Sequence, residues 1–370
     1  MAYAAVKGGK EAIENSIRFL DVLRGDGSTT PLGIEQIKKE LHFLVDRVMG
    51  EGSLYAPDLA ALAIKQSAGD TLEAAFMVRA YRTTLPRFGE SIPVSTRDIH
   101  IIRRISSAFK DIPGGQILGP SQDYSLRLLD FNLVNQDRNS LKDEYRDFLR
   151  EAGLKMDIPE NFPKLMELLR QENLLVSKSV VSREDKAADI TRESLKIPAQ
   201  RSAALQTMAR GETGGMLALA YSNMRGYGTA HPTIGELRVG YIPVKIKHPL
   251  DNTEITAGRI PVTEAEIISS FSDVEGRPKF QSGYGICFGH NETKAISMAT
   301  LDVSMRAEHP SYPSEDQEFV LMHIDGIESM GFANHFKLPH YVTFQSELDQ
   351  LRSSREKMSS ETSANGNSHE

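Results

Sequence analysis

Apolar residues recur at helical spacing through the first third of the chain. Ile13, Ile17 and Leu20 form one stripe, and Ile34, Ile37, Leu41, Val45 and Val48 form a longer one. Gly25-Asp26-Gly27-Ser28 separates the two, and Gly50-Glu51-Gly52-Ser53 ends the second. A third helix is expected after Pro57-Asp58 and a fourth after Gly69-Asp70, the latter closed by Pro86. Short helices joined by short glycine-bearing loops predict a helical module.

The second half changes period. Leu237, Val239 and Tyr241 alternate with polar or small residues, as a half-buried strand does. Glu254 to Val262 is a second strand candidate and Gly283 to Gly289 a third, more buried one. Thr263-Glu264-Ala265-Glu266 has capping-box spacing and predicts a helix start. Further helices are expected from Glu292 to Arg306 and from Asp316 to about Glu328.

Two stretches fit neither period. Lys110-Asp111-Ile112-Pro113-Gly114-Gly115-Gln116-Ile117-Leu118-Gly119-Pro120 holds two prolines and three glycines in eleven residues, and Arg225-Gly226-Tyr227-Gly228-Thr229-Ala230-His231-Pro232 is built similarly. Missing donors and weakened backbone exclude a regular helix or central strand there. Between them, about Asn135 to Arg201 is highly charged. Helices are expected at 139–152 and 162–172, then a polar linker from Ser182 to Gln200. The predicted class is α+β, a helical N-terminal module followed by a mixed α/β C-terminal domain. The expected division is 1–134, a charged insert at 135–200, a mixed domain at 201–350, and a disordered polar tail at 351–370.

Composition narrows the function. The 370 residues carry 40% apolar and 25% charged side chains, ordinary for a soluble globular protein. No apolar run approaches the ~20 residues that span a bilayer, and the N-terminus lacks a signal-peptide core, so a cytoplasmic location is expected and a membrane partner is not. The net charge of −7 argues against general nucleic-acid binding. A polyphosphate would need a local cluster of cations, for which Arg79, Arg82, Arg87, Arg103, Arg104 and Lys110 are candidates; the same residues would also serve as solvated partners of the many carboxylates. Cys287 is the single cysteine, which excludes an internal disulfide or a self-contained iron–sulfur cluster and reads as a small buried apolar group.

Candidate chemistry gathers at the punctuated stretches. In Asn334-His335-Phe336-Lys337-Leu338-Pro339-His340-Tyr341 the two histidines lie five apart, which separates them on a helix and opposes them on a strand. They converge only if the chain turns, and Leu338-Pro339 favours a turn. The result is half a zinc site or, equally, two loop histidines; His323 or Glu328 would add a ligand, as would another subunit. Gly114 and Gly115 permit the close amide approach of an anion nest, without the Lys-Ser/Thr ending of a P-loop. Arg225 and Tyr227 offer a guanidinium and an aromatic face to a nucleotide, or simply a structural loop. Asp123, His231, Glu236, Glu264 and Glu266 are further acid or base candidates, whereas His290 reads as isolated.

Together these stretches resemble the I subunits of bacterial carbon–phosphorus lyase. The resemblance rests on Val6-Lys7-Gly8-Gly9, Val45-Asp46-Arg47-Val48-Met49, Arg79 to Leu85, Lys110 to Gln116, Arg127 to Phe131, Leu219 to Ser222, Arg225 to Gly228, Gly283-Tyr284-Gly285 and Lys337 to Val342. It runs from about residue 3 to 347 and departs between about 135 and 201. It implies a complex with G, H and J subunits, and transiently K and L. It also implies exchange of the adenine of ATP for methylphosphonate at ribose C1′. A further implication is a zinc ion shared between two histidines, by motif His335 and His340, and a ligand of the J subunit. Such an exchange needs an acid for the leaving base, for which Asp111 is the expected donor. Arg79, Arg82, Arg225 and Tyr227, with the amides of Gly114 and Gly115, are the expected substrate contacts. The alternative is a non-catalytic interaction subunit that completes a partner's site.

Overall fold

The computed structural model describes residues 9–23, 25, 27, 29–136, 138–151, 162–176, 187–274 and 276–366. Among them the chain forms α1 (Lys10–Leu23), α2 (Ile34–Glu40), α3 (His42–Gly52), α4 (Pro57–Gln66) and α5 (Thr71–Thr83), then β1 (His100–Ile105). There follow α6 (Arg138–Glu151), α7 (Leu165–Gln171), α8 (Arg201–Arg210) and α9 (Thr213–Met224). The strands β2 (Thr233–Lys247), β3 (Glu254–Val274) and β4 (Arg277–Phe288) come next, and α10 (Glu292–Ser304), α11 (Gln317–His323), α12 (Gly326–His335) and α13 (Tyr341–Gly366) end the chain. The class is α+β. Two compact units result, one of Ile34–Asp325 and one of Met1–Gly33 with Gly326–Glu370.

In the larger unit the helical module forms as its periodicity predicts. Ile37, Val45, Val48, Met49, Ile64, Ala74 and Val78 close one apolar core across α2 to α5. Asp70 caps α5 by accepting from the amides of Leu72 and Glu73 at 3.0 and 3.1 Å. The long stripe is not one helix: Leu41 leaves helical geometry (φ −114°, ψ 33°) and divides α2 from α3.

The sheet is an antiparallel meander in the order β1-β2-β3-β4. Two sequence expectations fail here. Strand β1 lies in the stretch expected to be helical, because Arg103 and Arg104 occupy buried positions that an apolar pattern would have marked. Thr263-Glu264-Ala265-Glu266 starts no helix but lies within β3, where Arg238 of β2 and Arg170 of α7 satisfy the carboxylates that a capping box would have used.

The two faces of the sheet differ in kind. On one, Leu237, Ala265, Ile267 and Cys287 pack under α8 to α11 with Met208, Met298 and Leu301. Gly283 and Gly285 let α10 lie against β4, since a Cβ at either would overlap the carbonyl oxygen of Ala299 or Ala295. The other face carries Arg104, Glu236, Arg238, Glu264, Glu266 and Tyr284 and is covered by residues 162–176. Both outer strands meet single-residue bridges: Arg104 on β1 pairs with Ile117, and Phe280 on β4 pairs with Leu175.

Residues 187–200 are expected to form a loose linker, yet they are tied down. Asp189 accepts from Arg87 at 2.7 Å and the amide of Ala199 donates to Gln317 at 2.7 Å; 182–186 lie outside the described residues. The helix expected over Asp316–Glu328 stops at His323. In the smaller unit, α1 exposes Ile13, Ile17 and Leu20. Helix α13 runs to Gly366, across most of the tail expected to lack order. None of the described helices is long and apolar enough to cross a membrane.

Candidate functional site

The chain turns between α12 and α13, with amides of Lys337 and Leu338 donating back to Asn334 and His335 at 3.1 and 2.9 Å. The turn sets the rings of His335 and His340 5.4 Å apart, inclined at 65°. Each Nδ1 faces a carbonyl, that of Phe332 for His335 and that of Leu338 (2.6 Å) for His340. A carbonyl only accepts, so Nδ1 carries the proton and the lone pair sits on Nε2. Two imidazoles bound through one nitrogen each, ~2 Å from a tetrahedral ion, place their centroids about 5 Å apart, which is the spacing here. The spacing is that of two corners of a tetrahedral site. Among the described residues no three His, Cys, Asp or Glu side chains are grouped to hold a metal.

In the larger unit Asp111 is exposed at the start of the Gly-Pro loop. Gly114 and Gly115 adopt φ of 81° and 76°, and a Cβ on Gly114 would press on the Phe162 ring. The loop turns carbonyls inward: Arg104 Nη1 donates to Pro113 O at 2.6 Å and to Gly115 O at 3.4 Å. The Gly115 amide closes the turn onto Ile112 O at 2.9 Å.

Further along, the same loop reaches a network that the sequence does not announce. Arg103 donates to Leu118 O at 2.5 Å, to Asp123, and through Nε to Glu292 Oε1 at 2.6 Å. Glu292 also meets His290 Nε2 at 2.9 Å, and the His290 amide donates to Asp46 at 2.8 Å. Burial raises the Asp46 carboxyl above its ordinary range. Burial also pushes Glu292 up, but His290 and Arg103 outweigh it and hold that carboxyl below its usual value. His290 is thus not isolated; it meets Asp46 of α3, far away in sequence, and Glu292, through which it is linked to Arg103 of β1.

The expected arginines divide. Arg79 brackets α3 and the end of α11, donating to Asp325 Oδ2 and to Glu51 O, both at 2.7 Å. Arg82 is partly exposed in the last turn of α5. Arg225 is exposed with its guanidinium 5.8 Å from the Tyr221 ring centroid, and Tyr227, 62% exposed, meets Tyr312 edge-on at 6.1 Å. Guanidinium and aromatic faces are therefore displayed together around that loop.

The polar face of the sheet is the largest feature missing from the sequence reading. Arg104 Nε donates to Glu236 Oε1 at 2.7 Å, and Glu236 Oε2 accepts from the Leu165 amide at 3.1 Å. Glu264 receives Arg238, Lys164 Nζ at 2.8 Å and the Tyr284 hydroxyl at 2.9 Å, while Arg170 donates to Glu266 at 2.6 Å. Burial raises Glu264, but Arg238 and Lys164 outweigh it and keep it ionised below the ordinary carboxyl range. A cleft of about 510 Å³ opens onto this layer beside α7. Strand alternation does place Glu264 and Glu266 on one face, and that was the available signal.

Three relatives align over nearly the whole chain. HtxH of Stutzerimonas stutzeri, a candidate C-P lyase subunit, is 51% identical over 373 residues, covering 99% of each chain. The alpha-D-ribose 1-methylphosphonate 5-triphosphate synthase subunit PhnI of Rhizobium meliloti is 44% identical, covering 95% of each. Its Escherichia coli namesake is 43% identical, covering 95% of this chain and 97% of its own. The family model described as bacterial phosphonate metabolism protein (PhnI) matches residues 2–358. With that match spanning the helical module, the sheet and the histidine turn alike, the chain belongs to the PhnI family of bacterial phosphonate metabolism proteins.

Proposed function

We propose that this chain is the I-type subunit of a cytoplasmic carbon–phosphorus lyase core complex and takes part in exchanging the adenine of ATP for methylphosphonate. The observation that carries this reading is its near full-length likeness to proteins named as subunits of a ribose 1-methylphosphonate 5-triphosphate synthase. In the reaction a phosphonate oxygen forms a bond to ribose C1′ as the bond from C1′ to the purine nitrogen breaks. Positive charge builds at the sugar, and the leaving adenine takes a proton. Asp111, exposed on the Gly-Pro loop, is the proton donor in this reading. Arg82, Arg225 and Tyr227 meet the triphosphate or the purine, Gly114 and Gly115 shape the loop that carries Asp111, and Arg79 positions α5.

Zinc fits the second part of the proposal. His335 and His340 offer two nitrogens with their tautomers set by backbone carbonyls, and a partner ligand, from the J subunit, completes the site. Bound there, zinc would tie the subunits together and, with a coordination position open, act as a Lewis acid. G, H and J are the stable partners and K and L the transient ones. Adenine release from ATP by the chain with its partners and methylphosphonate is the direct test. Asp111→Asn should abolish it, and no release from a complete, folded assembly rejects the exchange.

The half-complete histidine pair also favours a second reading, in which the chain only completes a partner's site. There His335→Ala lowers the zinc content of the assembly and leaves base release unchanged. Zinc bound one-to-one by the isolated chain would exclude that alternative.

A further inference from the structure

The charged face of the sheet invites a question that packing alone does not answer. Buried ion pairs rarely repay their desolvation relative to apolar side chains of similar size, so an ionic layer needs a reason beyond stability. Here the layer is not sealed. The cleft beside α7 reaches it, lined by Arg97, Lys164, Arg170, Glu167, Glu266 and Tyr284, and its volume suits a small ligand. Lys279 stands next to it, donating to the lining residue Asn173 at 2.8 Å.

The charges are unequal. Arg97 pairs with Glu167, Arg170 with Glu266, Arg238 with Glu264, and Lys164 bridges Glu264 and Glu266; with Lys279 alongside, five cations stand against three carboxylates. In a chain of net charge −7 this is a local excess of cations, which favours an anion. A bare anion, however, would also meet the Glu266 carboxylate. A ligand that puts an anionic group against the cations and hydroxyl donors against the carboxylates satisfies both. Purine stacking is not offered: Tyr284 is the one aromatic lining residue, and Lys164 Nζ stands 6.0 Å over its ring.

We infer that this cleft is a binding site for a base-free ribose phosphate, with the phosphate among Arg97, Lys164 and Arg170 and the sugar hydroxyls toward Glu266. The choice of ribose rests on the exchange reading above, since that reaction yields a phosphorylated ribose without its purine; the charge argument stands without it. The cleft would hold the sugar after adenine has left and before the next reaction, one that consumes a phosphorylated ribose phosphonate.

The test is calorimetric titration of the full chain with ribose 5-phosphate, against ribose, inorganic phosphate and ATP. Ribose 5-phosphate should bind at least tenfold more tightly than ribose or inorganic phosphate. Arg97→Glu, at a side chain 62% exposed, should weaken it at least tenfold with an unchanged melting temperature, and Lys279→Glu should weaken it less. Equal affinity for inorganic phosphate, absence of saturable binding, or indifference to Arg97→Glu each overturns the inference. Ribose 5-phosphate binding that persists in an assembly unable to release adenine upholds the cleft and rejects the exchange. Adenine release without ribose 5-phosphate binding does the reverse.

Discussion

The two faces of one sheet solve the same burial problem by opposite means. Toward α10 the strands present Leu237, Ala265, Ile267 and two glycines, and contact is made through shape. Toward α7 they present Arg104, Glu236, Arg238, Glu264 and Glu266, and contact is made through charge. The first face gains from excluding water and tolerates no added volume. The second, beside a small apolar cluster around Ile101, Phe162 and Val262, gains from its charges only when each keeps its partner, so single losses harm it more than paired ones. Helix and strand are the same in both cases; the chemistry between them is not.

Volume on the apolar face should give the most severe outcome. Gly285→Val forces a side chain into the Ala295 carbonyl and the Met298 Cβ, and should cost more than ~3 kcal/mol, read as loss of soluble protein or a collapse of the denaturant midpoint. On the charged face, Arg238→Met leaves Glu264 with too little compensation and should cost roughly 3 kcal/mol. The double variant Arg238→Met with Glu264→Leu should recover at least half of that. A double variant as damaged as the single one would show that the ionic layer stabilises the fold outright.

A third substitution should act in the other direction. Lys294, on the α10 side, is 1% exposed, and its Nζ has no hydrogen-bond partner among the described residues. Burial lowers its pKa, so a stability cost sets in as the pH falls below 10.5 and is complete once the pH is below the depressed value. Lys294→Met should therefore raise stability by ~1–2 kcal/mol at neutral pH, seen as a melting temperature a few degrees higher. The gentlest test is acid titration. The Glu264 carboxyl lies lower in the fold than the ordinary 4.5, so its contribution is complete above that pH and is lost as the pH falls through the depressed value. Glu264→Gln should start less stable at pH 7 and show a flatter decline below about pH 4.5 in denaturant midpoints.

What the chain disclosed in advance follows the same divide. Helices α2 to α5 and strands β2 to β4 were readable wherever apolar residues kept a period, because that period is the burial pattern itself. β1 and the charged half of β3 were hidden, since arginine and glutamate at inward positions read as surface. The histidine turn was accessible because Pro339 and both imidazoles lie within six residues. The His290 network was not, because Asp46 and Arg103 stand 244 and 189 residues from His290 and Glu292. Asp111 and Asp123 belong to one loop, and only the fold distinguishes the exposed carboxylate from the one bound to arginine.

The small bridges at Ile117 and Leu175 limit how larger assemblies can form. A meander of four strands ordinarily leaves two rows of unsatisfied amides and carbonyls, open to templated growth by any extended peptide. Here the chain's own loops occupy part of each margin, with Ile117 exchanging hydrogen bonds with Arg104 at 2.7 and 2.8 Å and Phe280 held by Leu174 and Val176 at 2.9 and 3.0 Å. Neighbouring subunits are thereby steered away from strand addition at those points and toward side-chain recognition, which discriminates among partners where a bare backbone edge would not.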